Sequence, residues 1–229
     1  MPVKKPPLTV QPTTLWDYPS QHYGQTTQGS ARYAGATPSY VIWNLLSRYT
    51  RKNDLVIDPM CGSGTTIDVA RDLDRRVRGF DLNPYRPEIE QADARHLPLE
   101  DESVDFVFVD PPYSTNLKYS DDDRCIGKLD AHEAPYFEAL DMVYDEIFRV
   151  LKNRRYMAVY LCDVWTKAGF VPIGAATVMQ IAQRFRLIDH IAVVRHNRTL
   201  KQGNRRKSAV DENFFLRGYN HLIIGKKHQ

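Results

Sequence analysis

The sequence predicts an α/β domain: a mostly parallel sheet covered by helices on both faces. Three observations lead there. From residue 37 onward, short apolar runs of strand length alternate with segments of helical spacing. The run at 104–110, VDFVFVD, is almost continuously apolar, as a strand buried on both faces must be. A chain of 229 residues, 42% of them hydrophobic, can bury one sizeable core but leaves too little for a second full domain.

The elements follow in order. Residues 1–14, rich in Pro and Lys, are expected as a flexible tail ahead of a single domain over 15–229. The stretch 15–35, LWDYPSQHYGQTTQGSARYAG, has no helical or strand period, yet its Trp and Tyr content argues for an ordered, irregular cover on the domain. Thr37-Pro38 reads as an N-cap followed by proline at the first helical position, with Val41, Ile42, Leu45, Leu46 and Tyr49 recurring behind it. A short buried strand is expected at 54–58 and a helix at 65–73. Strands at 77–81 and 88–92 are joined by a proline-interrupted link too short for a normal crossover helix. The strand 104–110 is followed by a helix at 135–151, a strand at 155–162 and a helix within 174–185. The last two strands, near 187–194 and 219–225, have no helix between them and are expected to pair antiparallel at one edge, which makes seven strands. Segments 114–134 and 195–217 are left as loop insertions.

Composition excludes several classes. No apolar run reaches the roughly 18 residues of a membrane-spanning helix. The start MPVKKPPLTV lacks the apolar core and cleavage site of a signal peptide. Cys61, Cys125 and Cys162 are odd in number and widely separated, forming neither a CxxC metal pattern nor a disulfide framework, which fits a reducing cytoplasm. The acids 121–123 lack a wider ligand set, so no metal is expected. The net charge of +3 says little, but 195–207 holds six Arg or Lys (Arg195, Arg198, Lys201, Arg205, Arg206, Lys207) and no acid. Such a run is either a solvated loop or a phosphate-binding surface.

Two motifs carry chemistry. DPMCGSGTT, 58–66, lies between a strand and a helix. Gly62 and Gly64 permit a tight turn and close approach of backbone to a ligand, and the helix N-terminus behind them offers free N–H groups. Asp81 ends the next strand roughly 20 residues on, where an acid can accept both hydroxyls of a ribose. Alone, this pattern is also that of a plain turn. DPPY, 110–113, ends the strongest strand. Its proline step removes two N–H donors and leaves carbonyl acceptors, Asp110 adds a carboxylate, and Tyr113 a flat face. Acceptors beside an aromatic plate suit a planar amide or an aminated base. Alone, this is equally a proline turn closing a strand.

Together, and in this order, the motifs resemble those of the N4-cytosine and N6-adenine DNA methyltransferases. DPMCGSGTT is similar to their cofactor motif, FDLN (80–83) to their ribose-binding motif and DPPY to their catalytic motif, with the resemblance running over about 15–225. It implies a Rossmann-like class I methyltransferase fold and S-adenosylmethionine as cofactor. By that resemblance Thr37, Asp58, Pro59, Cys61, Gly62, Gly64 and Thr65 surround the methionine end, Asp81 and Leu82 hold the ribose with Phe80 against the adenine, and Asp93 and Ala94 read the adenine amino group. Asp110, Pro111, Pro112 and Tyr113 would be catalytic: Asp110 and the Pro111 carbonyl accept the N–H bonds of an exocyclic amine while Tyr113 stacks on the base. Reaching that loop requires the base to leave the duplex, at a cost of a few kcal/mol. Double-stranded DNA is the implied partner, bound through the basic run 195–207, with a second copy or a restriction endonuclease as further partners. Segment 114–134 reads either as a lid over the target base or as a plain mobile loop, and Trp16, Tyr18 and His22 either line the cleft or pack an arm on the core. DPPY favours adenine, while His196, Asn197 and Phe214-Phe215 are similar to some cytosine enzymes. RNA and protein glutamine are alternative substrates of such a loop, and a non-catalytic DNA-binding protein of the same fold is the alternative outside the enzymes.

Overall fold

The structure is a computed structural model and describes residues 5–30, 32–166, 168–196 and 198–228. Its strands are β1 (Leu15–Trp16), β2 (Leu55–Asp58), β3 (Arg76–Asp81), β4 (Ile89–Gln91), β5 (Val104–Val109), β6 (Leu151–Leu161), β7 (Val164–Thr166), β8 (Gly169–Val171), β9 (Arg186–Val194) and β10 (Tyr219–Lys226). Its helices are α1 (Ser39–Tyr49), α2 (Thr65–Asp72), α3 (Ala134–Val150), α4 (Ile173–Ala182), α5 (Arg198–Lys201) and α6 (Gly203–Asp211).

Every residue of β5 is buried, so it needs cover on both sides. Successive side chains of a strand point to opposite faces, and the two faces carry two cores. Val107 and Val109, with Ile57, Met157, Val159 and Ile223, pack under α3 and α4 through Leu140, Val143, Ile147, Ile173 and Ile181. Phe106 and Phe108, with Val56, Ala158 and Leu222, meet α1 and α2 through Val41, Leu45, Leu46, Val69 and Ala70.

The main sheet runs β1-β9-β10-β6-β5-β2-β3-β4. Strands β2 to β6 are mutually parallel, and β10 is antiparallel to both β6 and β9. The last two strands therefore pair as expected, with β10 lying between β6 and β9. An eighth strand joins the seven expected: Leu15 and Trp16 pair in parallel with Ala192 and Val193. Two residues leave no alternation to read, so the sequence gives no sign of it. The hairpin β7-β8, paired from Val164 to Val171, was likewise not expected.

This topology brings the carboxyl ends of β1, β2, β3, β5, β6 and β9 to one edge, so 17–38, 58–66, 81–83, 110–113 and 195–217 all start from the same side. The leading segment, expected as a tail, lies along α1 over its described part: Gln11 N–H donates to Asn44 Oδ1 at 2.7 Å, and Arg48 to the Gln11 carbonyl at 2.7 Å. Segment 195–217 contains α5 and α6 rather than loop alone, and α6 buries none of its residues.

Candidate active site

The site begins where β2 stops. Asp58 is buried and accepts a hydrogen bond from the Thr66 hydroxyl at 2.5 Å and from the Met60 N–H at 3.1 Å, which ties the strand end to the first turn of α2. Gly62 and Gly64 have φ of +47° and +82°, values an L side chain rarely adopts. A Cβ at Gly62 would stand 3.0 Å from the Tyr33 ring. Asp81, at the end of β3, accepts from the Gly62 N–H and the Asn83 N–H, both at 2.9 Å, so the acid also braces the glycine turn. Burial holds its carboxyl above the usual value.

Asp110 follows β5. The Thr37 hydroxyl donates to its Oδ2, and the Tyr113 hydroxyl to Oδ1 at 2.6 Å. Burial pushes its carboxyl up to about 7 against the pull of those two donors, and Asp58 is likewise pushed to about 7. Thr37 is not the N-cap. Pro38 occupies that position in extended geometry, α1 starts at Ser39, and no side chain caps it. Thr37 lies outside the helix, and its hydroxyl goes to a carboxylate 73 residues away in sequence.

A cleft open at its mouth gathers most of the expected residues: Thr37, Asp58, Pro59, Cys61, Gly62, Thr65, Asp81, Leu82, Asp93, Ala94, Asp110 and Pro112. Gly64 is not in its wall and faces Arg86, where a Cβ would stand 2.7 Å from the guanidinium. Pro111 is buried. Tyr113 packs against the core under α3 and meets the site through its hydroxyl. Phe80, expected against the adenine, is fully buried in that same core because the pleat of β3 turns Asp81 to the site and its neighbour away. Asp93 lines the cleft with its carboxylate engaged by Arg95 at 2.7 Å, an interaction that holds it below the usual carboxylate range.

Other wall residues were not among those expected to bind the cofactor. Tyr33 stands over Gly62, and Tyr119, Ser120, Arg124, Cys125 and Ile126 come from the segment read as a lid. That segment therefore walls the cleft of Asp58 and Asp81. The packing is close at Gly35, where φ is positive and a Cβ would meet Leu117 and Tyr119 at 3.2 and 3.3 Å. Among the described wall residues, the acids Asp58, Asp81, Asp93 and Asp110 stand with one guanidinium, Arg124, and Asp93 is paired with Arg95.

A second cleft adjoins the first. It shares Ala36 and is lined by Tyr18, Tyr40, Tyr160, Arg195, His196 and Asn220 among others. Arg195 thus lies at the site edge, its guanidinium 2.9 Å from Cys162 Sγ. Lys201, Arg205 and Arg206 are exposed, and Lys207 pairs with Asp211 at 2.5 Å. The side chain of Arg198, and Asn197, lie outside the described residues. Of the aromatic opening, Trp16 is buried in the core with its indole N–H on the Thr13 carbonyl, and Tyr18 lines the second cleft. His22 is in neither wall. Among the described residues no group of three or more His, Cys, Asp or Glu is placed to hold a metal.

Residues 3–91 match the DNA methylase family of N6/N4 type. The chain is 37% identical over 62 residues to the type II methyltransferase M2.LlaDCHI of Lactococcus lactis subsp. cremoris, a match covering 25% of this chain and 23% of that protein. The matched stretch thus spans about a quarter of that relative's length. Among solved structures, a SAM-dependent methyltransferase of Methanosarcina mazei matches with TM-score 0.51 at 14% identity, over 80% of this chain and 97% of that one. TrmN of Thermus thermophilus matches with TM-score 0.56 at 18% identity, over 85% and 50%. The [4+2]-cyclase SpnF matches with TM-score 0.56 at 14% identity, over 88% and 87%. The two sequence matches bear out the resemblance to the DNA amino-methyltransferases, and the structural ones the Rossmann-like methyltransferase fold.

Proposed function

We propose that this chain binds S-adenosylmethionine in the acid-lined cleft and transfers its methyl group to an exocyclic amino nitrogen of a base in DNA, N6 of adenine in preference to N4 of cytosine. The observation that carries the reading is the position of Asp110: it lines the same cleft as Asp58 and Asp81 although 52 and 29 residues separate them in sequence.

The cleft suits this cofactor by its donor set. Asp81 is a ribose acceptor at the end of β3, the Gly62 turn admits close approach of backbone, and the acidic wall suits a positively charged sulfonium. When bound, the cofactor supplies an electrophilic methyl group. The chain does the rest. In the free base the amine lone pair is delocalised into the ring. Asp110 accepts one N–H and the Pro111 carbonyl the other, so the nitrogen can pyramidalise and localise that lone pair for in-line attack. Positioning and preorganised acceptors carry the rate, and no strong base is needed because the alkylated cationic nitrogen sheds its proton readily. Thr37 and Tyr113 hold the carboxylate in place through their hydroxyls.

The base is reached by flipping, and DNA is held through the basic segment 195–207. We place the protein in the cytoplasm, with a second copy or a cognate endonuclease as possible partners. The test is transfer of tritium from methyl-labelled S-adenosylmethionine into duplex DNA. Asp110→Ala is expected to remove most of the incorporation, at least about a hundredfold as for loss of a key electrostatic contact. Digestion to nucleosides and weighing the methylated product gives the base. Label in RNA or protein instead of DNA overturns the substrate.

A further inference from the structure

The last two strands carry a pair of histidines that the reaction described above does not use. His190 on β9 and His221 on β10 lie with ring centroids 5.0 Å apart and planes 26° from parallel, and His190 Nε2 stands 2.8 Å from His221 Nδ1. His221 Nε2 stands 3.1 Å from Asp163 Oδ2, and Asp163 Oδ1 accepts the N–H of Gly174 at the start of α4 at 2.8 Å. His221 is 6% exposed, and a Cβ at Gly174 would stand 2.4 Å from its ring, so only glycine leaves room for the imidazole.

These contacts fix the protons. Burial raises the Asp163 carboxyl, but His221 and the Gly174 N–H outweigh it and hold it below its ordinary value, so Asp163 is an anion that only accepts. His221 Nε2 therefore carries a hydrogen toward it, Nδ1 of the neutral ring is bare, and His190 Nε2 donates to Nδ1. The chain has room for one more proton: a fully protonated His221 donates to a His190 of the other tautomer, and Asp163 balances the charge. It has no place for a second, because both facing nitrogens would then carry hydrogens across 2.8 Å. The surroundings offer little relief. Asp189 acts on His190 from β9, Arg217 acts on Asp163 from the segment before β10, and Tyr219 meets His221 edge-on. Cys162, beside Asp163, is engaged by Arg195, and α4 has no charged residue. Burial, and then His221, hold His190 below its ordinary value of 6.5 against the pull of Asp163 and Asp189.

The pair sits at the root of the basic segment. Val194 pairs with Tyr219, and the chain between them is the segment that holds α5 and α6. His190 lies four residues before Val194, and His221 two after Tyr219. The far end of the segment docks on the hairpin β7-β8 through Phe214 and Arg217. We propose that His190 and His221 form an acid-opened clasp that joins β9 to β10 at the root of this segment and couples its seating to pH. That the coupling reaches DNA affinity is the one step that rests on the function proposed above. The direction follows from His190: the unfolded chain takes up the proton first, so the clasp contributes fully above about pH 6.5 and is lost as pH falls below it.

The experiment compares the wild type with His190→Gln, whose amide keeps a donor toward His221 but takes up no proton. At about pH 8 the two should melt within about 2 °C of each other, and at about pH 5.5 the variant should melt roughly 2–4 °C higher. Trp165 emission, assigned with Trp165→Phe, reports the docking of Phe214. It should change between those pH values in the wild type and stay constant in His190→Gln. Duplex-DNA affinity should fall about tenfold further in the wild type than in the variant over the same interval. His221→Gln and the double variant test the coupling: the double variant should resist acid no better than His190→Gln alone. A sum of the two single effects, the mark of independent histidines, overturns the clasp, as does a Trp165 response equal in wild type and His190→Gln. Should His221→Gln not fold, nitrogen-15 spectra of the wild-type histidines decide: near pH 8 both rings must be Nε2–H tautomers, and any other combination overturns the clasp. A wild type that binds no DNA at any pH removes the DNA reading and leaves the clasp supported by melting and emission. One that binds DNA with the same pH response as the variant overturns the coupling to DNA.

Discussion

Asp110 is held by two hydroxyls in a buried position, and the consequence for stability can be worked out from its titration. Its carboxyl is raised from an ordinary value near 4 to about 7 because burial disfavours the charge. Between those values the folded chain binds more protons than the unfolded one, so stability falls as pH rises from about 4 to about 7 and is flat above. Asp110→Asn cannot ionise and escapes that loss. It should therefore melt above the wild type at pH 8 by roughly 2–8 °C, for about 1–2 kcal/mol in a chain of this size, with the gap narrowing toward pH 5. Melting curves across that range check it, and a gap independent of pH would contradict it. Inactivity of the more stable variant would be the usual exchange of stability for a strained site. Asp110 was legible as a residue because DPPY closes an unmistakable strand. Its partner Thr37 was read as a cap from spacing and as a cofactor contact from the resemblance, and neither reveals a hydroxyl reaching a carboxylate 73 residues along the chain.

At the scale of elements, the basic segment is the most instructive. Its charge was plain in the sequence, but α6 was not, because a helix with no buried residue has no apolar face to give a period. The segment is nonetheless attached to the hairpin β7-β8: Phe214 stacks on Trp165 with ring centroids 6.0 Å apart, and the Arg217 guanidinium lies 5.0 Å over Phe170. An exposed cationic helix, anchored at one end and beginning at the site edge of the sheet, suits contacts to phosphates rather than to base edges. Under the proposed function, replacing Arg205 and Arg206 with Ala weakens DNA binding about equally for all sequences. The slope of log affinity against log salt should fall by roughly 2, near 0.9 per lost phosphate contact. Binding isotherms at several salt concentrations measure it. A selective loss on one sequence would mean that these arginines read bases, and an unchanged slope that they touch no DNA.

For the whole molecule, the order of parallel strands was readable because periodicity and strand length are local properties. Contacts between distant segments were not. The first cleft draws Tyr33 and Thr37 from the irregular opening, Asp58 and Thr65 from the turn between β2 and α2, Asp81 from β3, Asp110 from β5, and Tyr119 and Arg124 from the segment beyond it. Nothing in the composition of 114–134 says that it walls this cleft. A ligand seated there touches at least five separate stretches of chain and must stabilise the fold as a unit, by RT ln(1 + [L]/Kd). S-adenosylhomocysteine at about a hundred times its dissociation constant should add about 2.7 kcal/mol and raise the melting temperature by roughly 5–11 °C. Asp81 has two duties, receiving the ribose and bracing the Gly62 N–H. Asp81→Ala should abolish the shift, whereas Arg205→Ala, on the exposed helix α6 outside this cleft's wall, should keep it. A shift that survives Asp81→Ala would place the nucleoside elsewhere and separate the glycine turn from cofactor binding.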